Sequence, residues 1–117
     1  MPLLPIKGLS KIPPVQIGWT PLYRSKNLAR ELGLKSLYLK DEGRNPSASF
    51  KDRASSVVVA RALEQGEKLI TGASTGNAAS SLACVSSALG VNTVIFVPQK
   101  APVAKIAQLL VFGARVI

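Results

Sequence analysis

From residue 69 onward, apolar runs of strand length alternate with longer runs of helical length: 69–73, 77–89, 93–97, 103–112 and 115–117. The order is β-α-β-α-β, which predicts parallel strands joined by crossover helices. The first two strands carry no charge, which predicts a sheet buried on both faces. The first half is punctuated instead: Pro2, Pro5, Gly8, Pro13, Pro14 and Gly18 make residues 1–18 an irregular lead-in. Ser25 is placed to cap a short helix over 25–32 that Gly33 stops, and 36–40 (SLYLK) reads as a short strand. Residues 41–48, with Gly43 and Asn45-Pro46, read as a loop, and a helix over 50–65 ends before Gly66. The chain stops inside its last strand with no helix to follow, so it reads as the front portion of a larger α/β protein.

Composition narrows this picture. With 117 residues, 47% hydrophobic and 18% charged, the chain is globular in type and holds at most one domain. Lys and Arg number 15 against 6 Asp and Glu, a formal charge of +9 that favours anionic ligands. The cations are scattered and aromatics make up only 5%, so stacking platforms for nucleic acid are scarce. A basic, non-catalytic module that binds polyanions is a reading of another class, whose signature is steep loss of binding with salt. The chain has no His, which excludes Ser-His-Asp and Cys-His chemistry and His-ligated zinc within it. Cys84 alone allows no internal disulfide and reads as core filler. The uncharged stretch 69–99 is broken by Gly72, Gly76, Asn77, Gly90, Asn92 and Pro98, short of the ~18 apolar residues of a membrane span. No signal peptide is recognisable, and the expected setting is the cytoplasm, with neither membrane nor nucleic acid as partner.

Two segments carry candidate chemistry. In Ser49-Phe50-Lys51-Asp52-Arg53, Ser49 and Asp52 have the spacing of a capping box, which puts Lys51 in the first turn of a helix. The positive end of the helix dipole disfavours an ammonium there, and burial adds to this, so such a lysine is pushed toward the neutral amine that a nucleophile or Schiff-base former needs. The alternative is a solvated Lys51 paired with Asp52 or Glu42. In Gly72-Ala73-Ser74-Thr75-Gly76-Asn77, a strand-to-helix turn offers backbone N–H groups and two hydroxyls to an anion. It matches neither G-x-G-x-x-G nor the G-x-x-x-x-G-K-[ST] loop, and an ordinary turn capped by Asn77 or Thr75 is equally compatible. Trp19-Thr20-Pro21-Leu22 reads as a rigid turn with a packed indole. Arg44 and Lys105 read as solvated charge.

Gly18-Trp19-Thr20-Pro21-Leu22, Leu37 to Glu42, Asn45 to Arg53 and Ser74-Thr75-Gly76-Asn77, in this order and spacing, resemble the N-terminal part of the threonine synthases. These are pyridoxal-phosphate (PLP) enzymes of fold type II, the tryptophan synthase β-like group. The resemblance runs from Gly18 to Ile117. It implies that Lys51 carries the PLP Schiff base, with Phe50 beside it in the cofactor site, that Asn77 hydrogen-bonds the cofactor's ring hydroxyl, and that Ser74, Thr75 and Gly76 receive the substrate carboxylate. It implies conversion of O-phospho-L-homoserine and water to L-threonine and phosphate, with Lys51 moving the α-proton, no metal, and a homodimeric full-length form. Residues 1–66 then belong to the larger PLP domain and 67–117 begin the small Rossmann-like one. The family's PLP-phosphate loop and pyridine-nitrogen partner lie downstream of this region, so the chain alone is expected to be inactive. Residues 47–49 read Ser-Ala-Ser where many relatives have Thr-Gly-Ser, so Ala48 tests whether that backbone needs positive φ. Serine/threonine dehydratases and cysteine synthases are the nearest alternatives; Asp52-Arg53, Lys40-Asp41-Glu42 and Asn45-Pro46 favour threonine synthase.

Overall fold

The computed structural model describes residues 3–8 and 11–117; residues 1, 2, 9 and 10, and with them Pro2 of the lead-in, lie outside the described residues. Two short strands, β1 (Leu22–Arg24) and β2 (Tyr38–Lys40), form an antiparallel ribbon and flank helix α1 (Lys26–Glu31). A single 3-10 turn over Glu42–Arg44 leads to α2 (Lys51–Glu64). Then follow β3 (Leu69–Ala73), α3 (Asn77–Ala88), β4 (Asn92–Phe96), α4 (Val103–Val111) and β5 (Arg115–Val116), with parallel strands in the order β3-β4-β5. The β-α-β-α-β reading of 69–117 therefore holds, with element ends within a residue or two.

Within the described residues the helices cover one face of the sheet. Ile70, Thr93 and Ile95 are buried, while their neighbours Leu69, Phe96 and Ile117 are 51%, 47% and 68% exposed. The cause is the strand order: successive strands laid side by side by right-handed crossovers place α3 and α4 on the same face. The molecule is accordingly 18 Å in its thinnest dimension, the depth of one sheet and one helix layer. Ile95, Leu109, Ala79, Ala83 and Ala114 form the core between sheet, α3 and α4. Gly72 lets α3 sit close: a Cβ there would meet Leu82 Cδ2 at 3.0 Å.

Helix α2 lies beside α3, and the two run in register. Ser55, one turn in from Lys51, meets Ser81, one turn in from Asn77, with the two hydroxyl oxygens 2.7 Å apart. Val59 and Val85, two turns in, share a second core cluster with Ile70 and Val91. The lead-in straps α2 at both ends. The Lys7 and Gly8 N–H groups donate to Glu64 Oε1 at 2.7 and 3.1 Å, and Ile17 packs on the second cluster. Burial acts against the Glu64 charge, but those donors and Arg61 hold its carboxyl below the usual carboxylate range.

Local capping differs from expectation. Ser25 occupies the N-cap of α1 but its hydroxyl makes no capping bond. The cap of α3 is Gly76 rather than Asn77 or Thr75. The indole of Trp19 is not packed: it is 91% exposed, on a backbone with φ of 52°.

The buried hydroxyl pair gives a test of the helix register. Ser81→Ala is expected to destabilise the chain by about 1–2 kcal/mol, because it leaves Ser55 without its partner. Adding Ser55→Ala should cost less than the sum of the single changes in urea unfolding, and strictly additive losses would contradict the pairing.

Candidate functional site

The segment before α2 is bound to itself and to the ribbon. The reciprocal Ser49–Asp52 capping box does not form. Ser49 Oγ instead accepts from the Lys51 N–H at 3.1 Å, and Asp52, fully buried, turns back to accept from the Ser47 N–H at 2.8 Å and from the Ser47 hydroxyl. Closing that loop forces Ala48 to φ of 56°, a conformation that costs a residue with a Cβ about 1 kcal/mol. Ala48 is itself exposed, so the backbone rather than packing sets that cost.

Glu42 is the centre of a second cluster. Its Oε1 accepts from Thr20 Oγ1 and Arg53 Nη2, each at 2.8 Å, and its Oε2 accepts from Arg53 Nε at 2.8 Å and Asn45 Nδ2 at 2.9 Å. Asn45 Oδ1 in turn accepts from the Gly18 N–H at 2.9 Å, and Lys40 Nζ donates to the Thr20 carbonyl. Gly18 is required twice over: its φ is 83°, and a Cβ would stand 2.9 Å from Arg53 Nη1. The Arg53 guanidinium, with Asn45, Thr20 and its positive charge, brings the Glu42 carboxyl from 4.5 down to about 2, against a desolvation cost.

Lys51 is the first residue of α2, as expected, but its side chain is exposed rather than buried. Both carboxylates that could have paired with it are engaged elsewhere, Asp52 by Ser47 and Glu42 by Arg53, and it enters none of the ion pairs among the described residues. Phe50 is 63% exposed, with the Arg53 guanidinium carbon 5.9 Å from its ring centre. Asn77, exposed, is the first residue of α3. Because α2 and α3 run in register, Lys51 and Asn77 open neighbouring helices at the same end.

Ser74, Thr75 and Gly76 are half-buried in the turn before α3. Ser74 Oγ accepts from the Gly76 N–H at 3.1 Å, so one backbone donor expected for an anion is held inside the turn. Ser74 and Thr75 face Phe96, Val97 and Pro98 across an open cavity of about 530 Å³ at the carboxyl ends of β3 and β4. Ligands of open parallel sheets sit at this edge.

The pyridoxal-phosphate dependent enzyme family pattern matches residues 14–117, nearly the whole chain. The chain belongs to that family. Its members use PLP, and the residues here fit the group: an unpaired primary amine, a carboxamide at the same helix level, and hydroxyls at a helix start beside a cavity. Among curated relatives of this pyridoxal-phosphate dependent chain, threonine synthase of Methanocaldococcus jannaschii is 48% identical over 115 residues, which is 97% of this chain and 28% of that protein. Threonine synthase of Methanosarcina acetivorans is 44% identical, over 88% of this chain and 26% of that protein. In three dimensions the chain is similar to O-ureido-L-serine synthase, with a TM-score of 0.77 and 30% identity, covering 86% of this chain and 33% of that one. The chain thus spans little more than a quarter of the length of the curated relatives it matches.

The Glu42 cluster escaped the sequence reading. Thr20, Glu42 and the pair Asn45 and Arg53 come from three separate segments with no common period. The one cue was Arg53 following Lys51, together with polar residues in a loop too short to leave them all in water.

Ala48→Gly relieves the left-handed strain and should raise stability by up to about 1 kcal/mol in urea unfolding. The folded Glu42 carboxyl titrates below its unfolded value, so its contribution is present above pH 4.5 and is lost as pH falls toward about 2. Glu42→Gln should flatten the stability profile across that interval, followed by circular dichroism.

Proposed function

We propose that this chain supplies the lysine, ring-hydroxyl and carboxylate contacts of a PLP-dependent threonine synthase, which converts O-phospho-L-homoserine and water to L-threonine and phosphate. The observation that carries the reading is Lys51: an exposed amine at a helix start whose neighbouring carboxylates are both occupied, level with Asn77 on the adjacent helix. The identity to threonine synthases supports the substrate assignment.

Bound PLP supplies an electron sink for negative charge developing on the substrate carbon next to its amino group. Lys51 is the residue that links to the cofactor and, when freed, moves the proton at the substrate α-carbon. Phe50 lines the cofactor site, and the Asn77 carboxamide holds the ring hydroxyl. Ser74, Thr75 and Gly76 receive the substrate carboxylate at the start of α3, where the helix dipole favours an anion. Residues 1–66 belong in this reading to the larger PLP domain and 67–117 begin the smaller one, with the whole enzyme homodimeric and cytoplasmic. The 117-residue chain is expected to be inactive by itself. Among the described residues no helix is long and apolar enough to cross a membrane.

The test is incubation with PLP, borohydride reduction and peptide mapping, on this chain and on the natural protein at its full length, each beside Lys51→Ala. An adduct confined to the Lys51 peptide of the natural protein is expected, with phosphate released from O-phospho-L-homoserine. Ammonia released from threonine instead would move the protein to the dehydratases. No adduct at Lys51 in the folded natural protein would remove the reading.

A further inference from the structure

We infer that Glu42 is a positioning residue for Lys51, clamping both ends of the segment 45–53 through Asn45 and Arg53. The inference rests on the role of Lys51 proposed above. Glu42 does not touch the amine in this arrangement; it acts through the backbone that carries it.

The argument is one of acceptor capacity and geometry. A carboxylate offers about four lone-pair directions. In Glu42 four side-chain contacts fill them: Thr20, Asn45 and two from Arg53. The paired contacts from Arg53 Nε and Nη2 to the two oxygens fix the plane of the guanidinium as well as its distance. Asn45 donates at the same time to the Glu42 carbonyl at 2.9 Å, which fixes the carboxamide. One end of the segment is thus tied at Asn45, and the other at Arg53 in the first turn of α2. Between them the Ser47–Asp52 contacts close an inner loop, and Lys51 lies within both closures. Gly18 lies close to the guanidinium, where an added Cβ would stand 2.9 Å from Arg53 Nη1. Rotation of the backbone at Lys51 therefore requires breaking charged hydrogen bonds on one side or the buried Asp52 contacts on the other.

This arrangement distinguishes two substitutions. Glu42→Gln turns an amide N–H₂ toward groups that are themselves donors, so at least one contact is lost and another becomes repulsive. Arg53→Lys keeps the charge but replaces a planar fork by a single ammonium that cannot hold both oxygens in one plane.

The experiment compares the natural protein at its full length with its Glu42→Gln and Arg53→Lys variants. Three readouts are taken: the visible circular dichroism of bound PLP, the rate at which the borohydride-trappable linkage at Lys51 forms, and amide hydrogen exchange of 45–53 without cofactor. Both variants should reach wild-type linkage stoichiometry. Glu42→Gln should lose most of the visible dichroism, link about tenfold or more slowly and exchange faster in 45–53, with Arg53→Lys in between. A folded Glu42→Gln with wild-type dichroism and linkage rate overturns the positioning role. If Glu42→Gln does not fold, the same wild-type result in Arg53→Lys overturns it. Failure of the wild-type protein to link PLP at Lys51 is a separate outcome, which removes the Lys51 assignment and the positioning role with it.

Discussion

The contact on which the rest depends is the in-register pairing of α2 and α3. Two helices side by side and parallel bring two positive dipole ends together, an arrangement that electrostatics disfavours and that packing must hold. Here the Ser55–Ser81 hydroxyl pair and the Val59–Val85 cluster hold it. Small residues at that seam let the helices approach, and Gly72 lets α3 settle on the sheet. The outcome is an edge with a standing preference for anions, at which a lysine and a carboxamide emerge level with each other.

Helix α2 is held differently on its two sides. Toward α3 the contacts are apolar or neutral hydroxyl. Elsewhere charged groups meet it near both ends, Glu42 with Arg53 at its first turn and Glu64 with Arg61 and the Lys7 and Gly8 N–H groups at its last, while Ile17 of the lead-in packs on the Val59 cluster. A lead-in read only as irregular is therefore a strap running along the helix. The buried Asp52 is used locally, to shape the turn that presents Lys51.

Elements of regular period were legible in the sequence. The runs at 69–73, 77–89, 93–97 and 103–112 mark β3, α3, β4 and α4 because apolar spacing and Gly or Pro punctuation agree there. What was not legible depended on distance in space. The placing of α3 and α4 on one face of the sheet follows from strand order, which periodicity does not encode. The exposed Trp19 contradicts the ordinary preference of an indole for packing. Asp52 binds Ser47 rather than Ser49, which requires Ala48 to take a left-handed backbone, an option the residue type argues against. For the site, Lys51, Asn77 and Ser74 to Gly76 stood out by local chemistry and by resemblance, whereas their common level on two helices emerges only from the register of those helices.

Trp19 is the only tryptophan in the chain. It projects into water from a backbone pinned on one side by the Gly18–Asn45 bond and on the other by Thr20. The chain thus carries a single indole at the seam between lead-in and helix, held by the same contacts that hold α2. Its emission colour reports what covers that corner, and its polarisation reports how firmly the strap is tied.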